Sequence, residues 1–242
     1  KVLAHGGRGD GGKKGGKTAT AVVWDVDAKK AVATVAVGQN ATASVALSGD
    51  GHRLVTWGEH YFEPPAADVD PAGNPNTLVQ LWDAATGAEV GRVRVSGPRP
   101  TAVDVSPDGT RVAVASGGAV VEVFDVPSGK PVRALLGRGS GWDRVAFSPD
   151  GKQVAAVSGK DRAVQRWDAA AGTLLGTTEC PVRAGLMYNV GLGWAAADRA
   201  VAWGAVGVSV VAWEVPSGKP ITPLAGHPHQ VTGVGFAAGG AE

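Results

Sequence analysis

One short pattern recurs along this chain and limits what it can fold into. Ser106-Pro107-Asp108-Gly109 and Ser148-Pro149-Asp150-Gly151 are identical turns, and looser versions begin at Ser48, Ala195 and Ala237. An aromatic residue followed by an acid returns in the same phase, as Trp24-Asp25, Trp82-Asp83, Phe124-Asp125, Trp167-Asp168 and Trp213-Glu214. A unit repeated five times at this period cannot bury its apolar face alone, so the copies must stack on one another.

Each unit reads as β-structure. Runs rich in Val, Ala and aromatics, such as Val112 to Ala115, Val120 to Phe124, Val154 to Val157 and Val208 to Trp213, lie between turn signals. Apolar residues stand at consecutive positions rather than alternating, as expected of small sheets covered on both faces. Behind each aromatic–acid pair comes a tight turn ending in Gly87, Gly129, Gly172 or Gly218, where glycine takes the positive φ that other residues resist. The acids Asp25, Asp83, Asp125 and Asp168 recur once per repeat, which predicts that they accept backbone N–H groups of those turns. A catalytic acid is needed only once.

These turns, the aromatic–acid strand endings and the pair Gly226-His227 resemble the WD-repeat (WD40) family, and the resemblance covers nearly the whole chain. It implies an all-β fold, a β-propeller of five four-stranded blades in one domain spanning residues 1–242. It also implies a hydrogen-bonded network of His, Ser or Thr, Asp and Trp inside each blade. Only parts survive in this sequence: Ser158, Asp161 and Trp167 in the fourth blade, and His227 in the blade shared by the termini. The alanine- and valine-rich, loosely matching repeats resemble those of bacterial members, whose propellers often accompany other domains in longer chains.

The two ends of the sequence complement each other. Val231 to Phe236 reads as an innermost strand and Lys1 to Gly6 as the second strand of the same blade, so the C-terminal strand is expected to pair with the N-terminal strands and close the ring. Closure would remove two exposed sheet edges. The rival expectation is an in-phase slice of a propeller with more blades.

Charge narrows the partners. Twenty-three basic against 22 acidic residues leave a net charge of +1, so no global field recruits nucleic acid or an anionic membrane. No apolar run approaches the ~20 residues of a membrane helix, and Cys180 is the single cysteine. Together with a start that has no secretory hydrophobic region, this leads to the expectation of a cytoplasmic, monomeric domain.

Two connections are long, residues 6–18 and 58–76, and loops of such length are usually functional or disordered. Both join the second and third strands of adjacent blades, on the rim that also carries the connections between blades. The first brings Arg8, Lys13, Lys14 and Lys17; the second brings Glu59, His60, Tyr61 and Phe62, with further acids at Glu63, Asp68 and Asp70. With the inter-blade residues Arg99, Arg138, Trp142, Arg183, Tyr188 and His229, they make up the candidate surface for a protein or peptide. Trp142 and Tyr188 fit equally as exposed contacts or as packing between blades.

Other chemistry finds less support. Gly11 to Thr18 satisfies the phosphate-loop pattern, but that loop needs a helix after Thr18 and Ala19 to Asp25 reads as a strand. His227 and His229 share one loop without carboxylate or Cys partners at ligand spacing, so neither a metal nor a cofactor is expected. No nucleophile elbow is present. Asn40-Ala41-Thr42 forms a glycosylation triplet. The expected role is therefore a non-catalytic interaction scaffold. The alternatives are a propeller hydrolase or small-ligand binder using the rim or channel, and phosphate or nucleic-acid contact through the lysine-rich insert.

Overall fold

A computed structural model of the chain describes residues 2–6, 18–39, 41–60, 78–95, 100–180, 188–206 and 209–224. Among these residues the chain forms only strands, in five antiparallel sheets, and no helix is long and apolar enough to cross a membrane. The first blade holds β1 (Val2–Gly6), β2 (Thr18–Asp25) and β3 (Lys30–Gln39). The second holds β4 (Ala41–Leu47), β5 (Arg53–His60), β6 (Leu78–Asp83) and β7 (Glu89–Arg94). The third is β8 (Ala102–Val105), β9 (Arg111–Ala115), β10 (Val120–Asp125) and β11 (Pro131–Leu136). The fourth is β12 (Arg144–Phe147), β13 (Gln153–Ser158), β14 (Ala163–Asp168) and β15 (Leu174–Glu179). The fifth is β16 (Tyr188–Trp194), β17 (Ala200–Val206), β18 (Ser209–Val215) and β19 (Pro220–Leu224).

Each sheet runs in simple up-and-down order, with β1–β2–β3 the three-stranded one among the described residues. The inner-strand segment expected from 231–236, and with it the closure of the ring, lies outside the described residues. Inner strands follow one another around the axis, β4 beside β8, β8 beside β12 and β12 beside β16. This is a five-bladed β-propeller.

The consecutive apolar positions now have their reason. Along β13, Val154 and Ala156 pack into a cluster with Leu135 and Val123 of the third blade, whereas Ala155 and Val157 pack with Ala202 and Trp213 of the fifth. Both faces of a middle blade are interior, so both alternating sets must be apolar. The junction of the second and third blades is built alike, from Val55, Val79 and Leu81 against Val103, Val112 and Phe124.

The repeated turns are built from one set of bonds. In the third blade the Ser106 hydroxyl donates to Asp108 Oδ1 at 2.6 Å and accepts the Arg111 N–H at 2.9 Å, while Gly109 takes φ +67°. Ser48 with Asp50 and Ser148 with Asp150 repeat it. The strand-ending acids do the same work in the other hairpins: Asp25 accepts from Asp27 and Ala28, Asp83 from Ala85 and Thr86, Asp125 from Ser128, and Asp168 from Ala170 and Ala171. A β-bulge sits at each of these endings, at Val23/Trp24, Leu81/Trp82, Val123/Phe124 and Arg166/Trp167. It re-aims the aromatic side chain that follows.

Trp82, Phe124, Trp167 and Trp213 are buried, each against the blade before its own. Trp24 departs from its repeat mates and is 38% exposed.

Candidate functional site

Antiparallel order fixes which features share a rim. The turns after the first and third strands of each blade leave from one end of the propeller; the connections between blades, and those between second and third strands, leave from the other. The ends of β1 and β2, at Gly6 and Thr18, and of β5 and β6, at His60 and Leu78, therefore open on one rim. The two blades are neighbours: Ala4 of β1 packs with Val45 and Leu47 of β4 over the cluster that holds Leu54 and Trp82.

Of the predicted surface, Arg8, Lys13, Lys14, Lys17, Tyr61, Phe62, Arg99, Arg183 and His229 lie outside the described residues, as does His227 of the repeat signature. Glu59 and His60 end β5 in backbone register with Thr42 and Ala41, and Tyr188 opens β16 opposite Ala205. Arg138 is exposed on the connection between the third and fourth blades. Trp142, on the same connection, is 2% exposed, with its ring edge-on to Trp167 at 5.6 Å between centroids. Its place is inter-blade packing, so it offers no contact surface; the aromatic pair adds to the core what an exposed anchor would have lent to a partner.

Of the connections between blades, 137–143 is the one that is described at every residue. Gln165, buried in β14, holds Arg138 at both ends of its backbone, accepting its N–H and donating to its carbonyl, each at 3.0 Å. Asp161 accepts the Ser140 N–H at 2.7 Å and the hydroxyls of Ser140 and Ser158 at 3.0 and 2.9 Å. Burial opposes ionisation of Asp161, but these donors, with Lys160 nearby, outweigh it and hold the carboxyl below its ordinary value. Ser140 thus supplies the donor for which the network's histidine is missing. Sequence comparison within the chain gives no hint of it, because a serine two residues beyond Arg138, the position that matches His227, carries no recognisable signature. Gly137 is required: a Cβ there would meet Trp142 Cζ2 at 2.6 Å and the Ala119 carbonyl at 2.8 Å. The connection is therefore a pinned loop that presents Arg138, Asp143 and Arg144 to solvent.

On the inner strands one residue stands apart. Asp104 of β8 accepts the Phe147 N–H of the neighbouring inner strand at 2.7 Å, and burial pushes its carboxyl up to about 7 against that hydrogen bond. The corresponding positions in the fourth and fifth blades are Ala146 and Gly193. Asp104 is the one acid on β4, β8, β12 and β16. No group of three potential metal ligands occurs among the described residues.

Thr18 begins a strand, so the phosphate-loop pattern ending there lacks the helix N-terminus that would face a phosphate.

Comparison with known proteins agrees with this architecture. Residues 129–168 match the family model for the WD domain, G-beta repeat. This stretch contains Ser140, Ser158, Asp161 and Trp167. A chain in the crystal structure of the mitotic checkpoint complex superposes with a TM-score of 0.64 at 16% identity, over 88% of this chain and 60% of that one. The present chain thus spans less than two thirds of that neighbour's length. No curated protein matches. The fold is a WD40-type propeller; because 1527 chains of known structure match, it defines the architecture and leaves the task to the sites.

Proposed function

We propose that the chain is a non-catalytic interaction scaffold that receives a protein or peptide on the rim from which inserts 6–18 and 58–76 depart. The observation carrying this reading is the pinned connection 137–143. Three exposed charged residues, Arg138, Asp143 and Arg144, are held on a rigid backbone at the same rim as the two inserts. Preorganised polar groups on a rigid scaffold lose little entropy on binding. The neighbour of known structure is part of a multi-protein assembly, which is in keeping with a protein partner.

Hydrolysis of the glycosidase type needs two carboxyl groups facing across the substrate. Asp104 has no second acid with it on the described inner strands, and its Oδ2 is engaged by Phe147. That favours binding over chemistry.

A photo-crosslinking residue placed at Arg138, with a control at Val132 on the outer strand β11, tests the proposal. A discrete adduct from position 138 in the native host, absent from 132, is the expected result. Equal labelling from both positions would overturn it.

A further inference from the structure

The opposite rim holds a cleft of about 470 Å³ between the turns of the second and third blades, within the roughly 300–1,000 Å³ of small-ligand sites. Its lining includes Asp50, Asp83, Asp108, Gly109, Val126 and Pro127. What makes it a cleft is visible one junction further on. Between the third and fourth blades, Arg111 Nη1 donates to the Ala169 carbonyl at 3.4 Å and Arg133 Nη2 to the Ala170 carbonyl at 2.7 Å. Two guanidinium groups of one blade fill the gap and satisfy the turn carbonyls of the next.

At the junction of the second and third blades both arginines are lost from that role. The register that sets Val123 opposite Arg133 sets Leu81 opposite Gly91, so a hydrogen stands where the longer side chain would reach across. Arg53, the equivalent of Arg111, folds back to Asp83 Oδ2 at 3.0 Å and to the His52 carbonyl. At the junction of the fourth and fifth blades the Thr178 hydroxyl reaches the Pro216 carbonyl at 3.2 Å; its counterpart in the second blade is Val93. Val126 and Pro127, which stand where Ala169 and Ala170 stand in the fourth blade, thus line the cleft without the arginine pair that crosses the next junction.

Charge points the same way. The Thr86 N–H and hydroxyl hold Asp83 below its ordinary value. Burial works against ionisation of Asp50 and Asp108, but the Ser48 and Ser106 hydroxyls and nearby backbone donors outweigh it. Arg53 lines the same cleft, pairs with Asp83 at 3.0 Å and lies near Asp50, so Asp50, Asp83 and Asp108 together outnumber the one guanidinium there.

The geometry points to this cleft as a receptor for an arginine side chain of a partner protein. The guest guanidinium takes the place that Arg111 and Arg133 fill at the next junction, on the Val126 and Pro127 carbonyls and the carboxylates of Asp50 and Asp108. Two acceptor types around a planar fork of N–H donors favour arginine over lysine. The site is on the rim opposite the inserts and stands independently of them.

The test is an NMR titration of the full chain with Nα-acetyl-arginine methylamide, with the lysine and citrulline analogues as comparisons. Saturable amide shifts at Asp50, Gly109, Thr110 and Val126 are expected, with a dissociation constant on the order of 1 mM and binding at least about tenfold weaker for lysine and citrulline. Gly91→Arg should abolish the shifts by filling the cleft from within. Asp50→Asn and Asp108→Asn, which keep the turn geometry, should each weaken them if Gly91→Arg fails to fold. Non-saturable shifts, equal response to lysine, or binding unchanged in the Asn variants would overturn the proposal.

Discussion

Trp82 Nε1 donates to Thr56 Oγ1 at 2.9 Å inside the second blade, and the register explains the pairing. Leu54 lies opposite Trp82, so the residue two positions on faces the indole N–H. The counterpart of Thr56 is Val114 in the third blade, where Phe124 has no N–H to satisfy. It is Ala156 in the fourth, where Trp167 turns instead to the Leu136 carbonyl at 3.0 Å. In the fifth it is Gly204, and Trp213 Nε1 is buried without a partner among the described residues.

Trp82→Phe and Trp213→Phe should therefore differ although the same atoms are removed. The first strands a buried hydroxyl, which costs about 1–3 kcal/mol beyond the lost area; the second removes a donor that was already unpaired. Urea unfolding is expected to show the Trp82 variant less stable than the Trp213 variant by at least about 1 kcal/mol. Equal losses would contradict this use of the register.

Asp104 makes stability depend on pH. Its carboxyl titrates near pH 7 in the fold and near 4 when unfolded, so between those values the native state holds the extra proton. Stability from this group therefore falls as pH rises from about 4 to about 7 and is level above. Asp104→Asn keeps an acceptor for Phe147 and removes the ionisation. Relative to the parent, it should gain on the order of 1–3 kcal/mol in urea unfolding between pH 4.5 and pH 8. A difference between the two proteins that does not change with pH would refute the assignment.

The rim loop depends on Asp161 more than on Ser140. Asp161→Ala removes the acceptor of three donors and should cost about 1–2 kcal/mol, whereas Ser140→Ala leaves the backbone N–H bond intact and should cost less. Hydrogen exchange of the Ser140 amide is expected to accelerate in the first variant and to stay near the parent rate in the second.

Gly137→Ala places a methyl within the contact distances of Trp142 and the Ala119 carbonyl. A loss of about 1–3 kcal/mol is expected, accompanied by a change in tryptophan fluorescence as the Trp142–Trp167 pair is forced apart. Unchanged melting and emission would show that the loop can yield.

The features that repeat were legible in the sequence. Strands expected over Val112 to Ala115 and Val154 to Val157 are observed as Arg111–Ala115 and Gln153–Ser158, because the turn glycines and strand-ending acids bound them tightly. What differs between repeats was not. Ser140 replaces a histidine from a different loop position, Gly91 replaces an arginine only once the bulge at Leu81/Trp82 sets the register, and Asp104 looks like any acid in a short strand until the neighbouring blade arrives beside it. Trp142 is aromatic in a rim loop, yet its direction follows from Gly137 leaving room beneath it. Such properties belong to contacts between blades, which no single repeat encodes.

The most direct test of the scaffold role is quantitative affinity capture from the native host with three forms of the full chain. One is the parent, one has 61–77 replaced by a Gly/Ser linker together with Arg138→Ala, and one carries Asp50→Asn with Asp108→Asn on the opposite rim. A protein retained in constant ratio by the parent and the opposite-rim variant, and lost from the insert-rim variant, is the predicted result. Equal retention by the parent and the insert-rim variant would contradict the assignment of that rim.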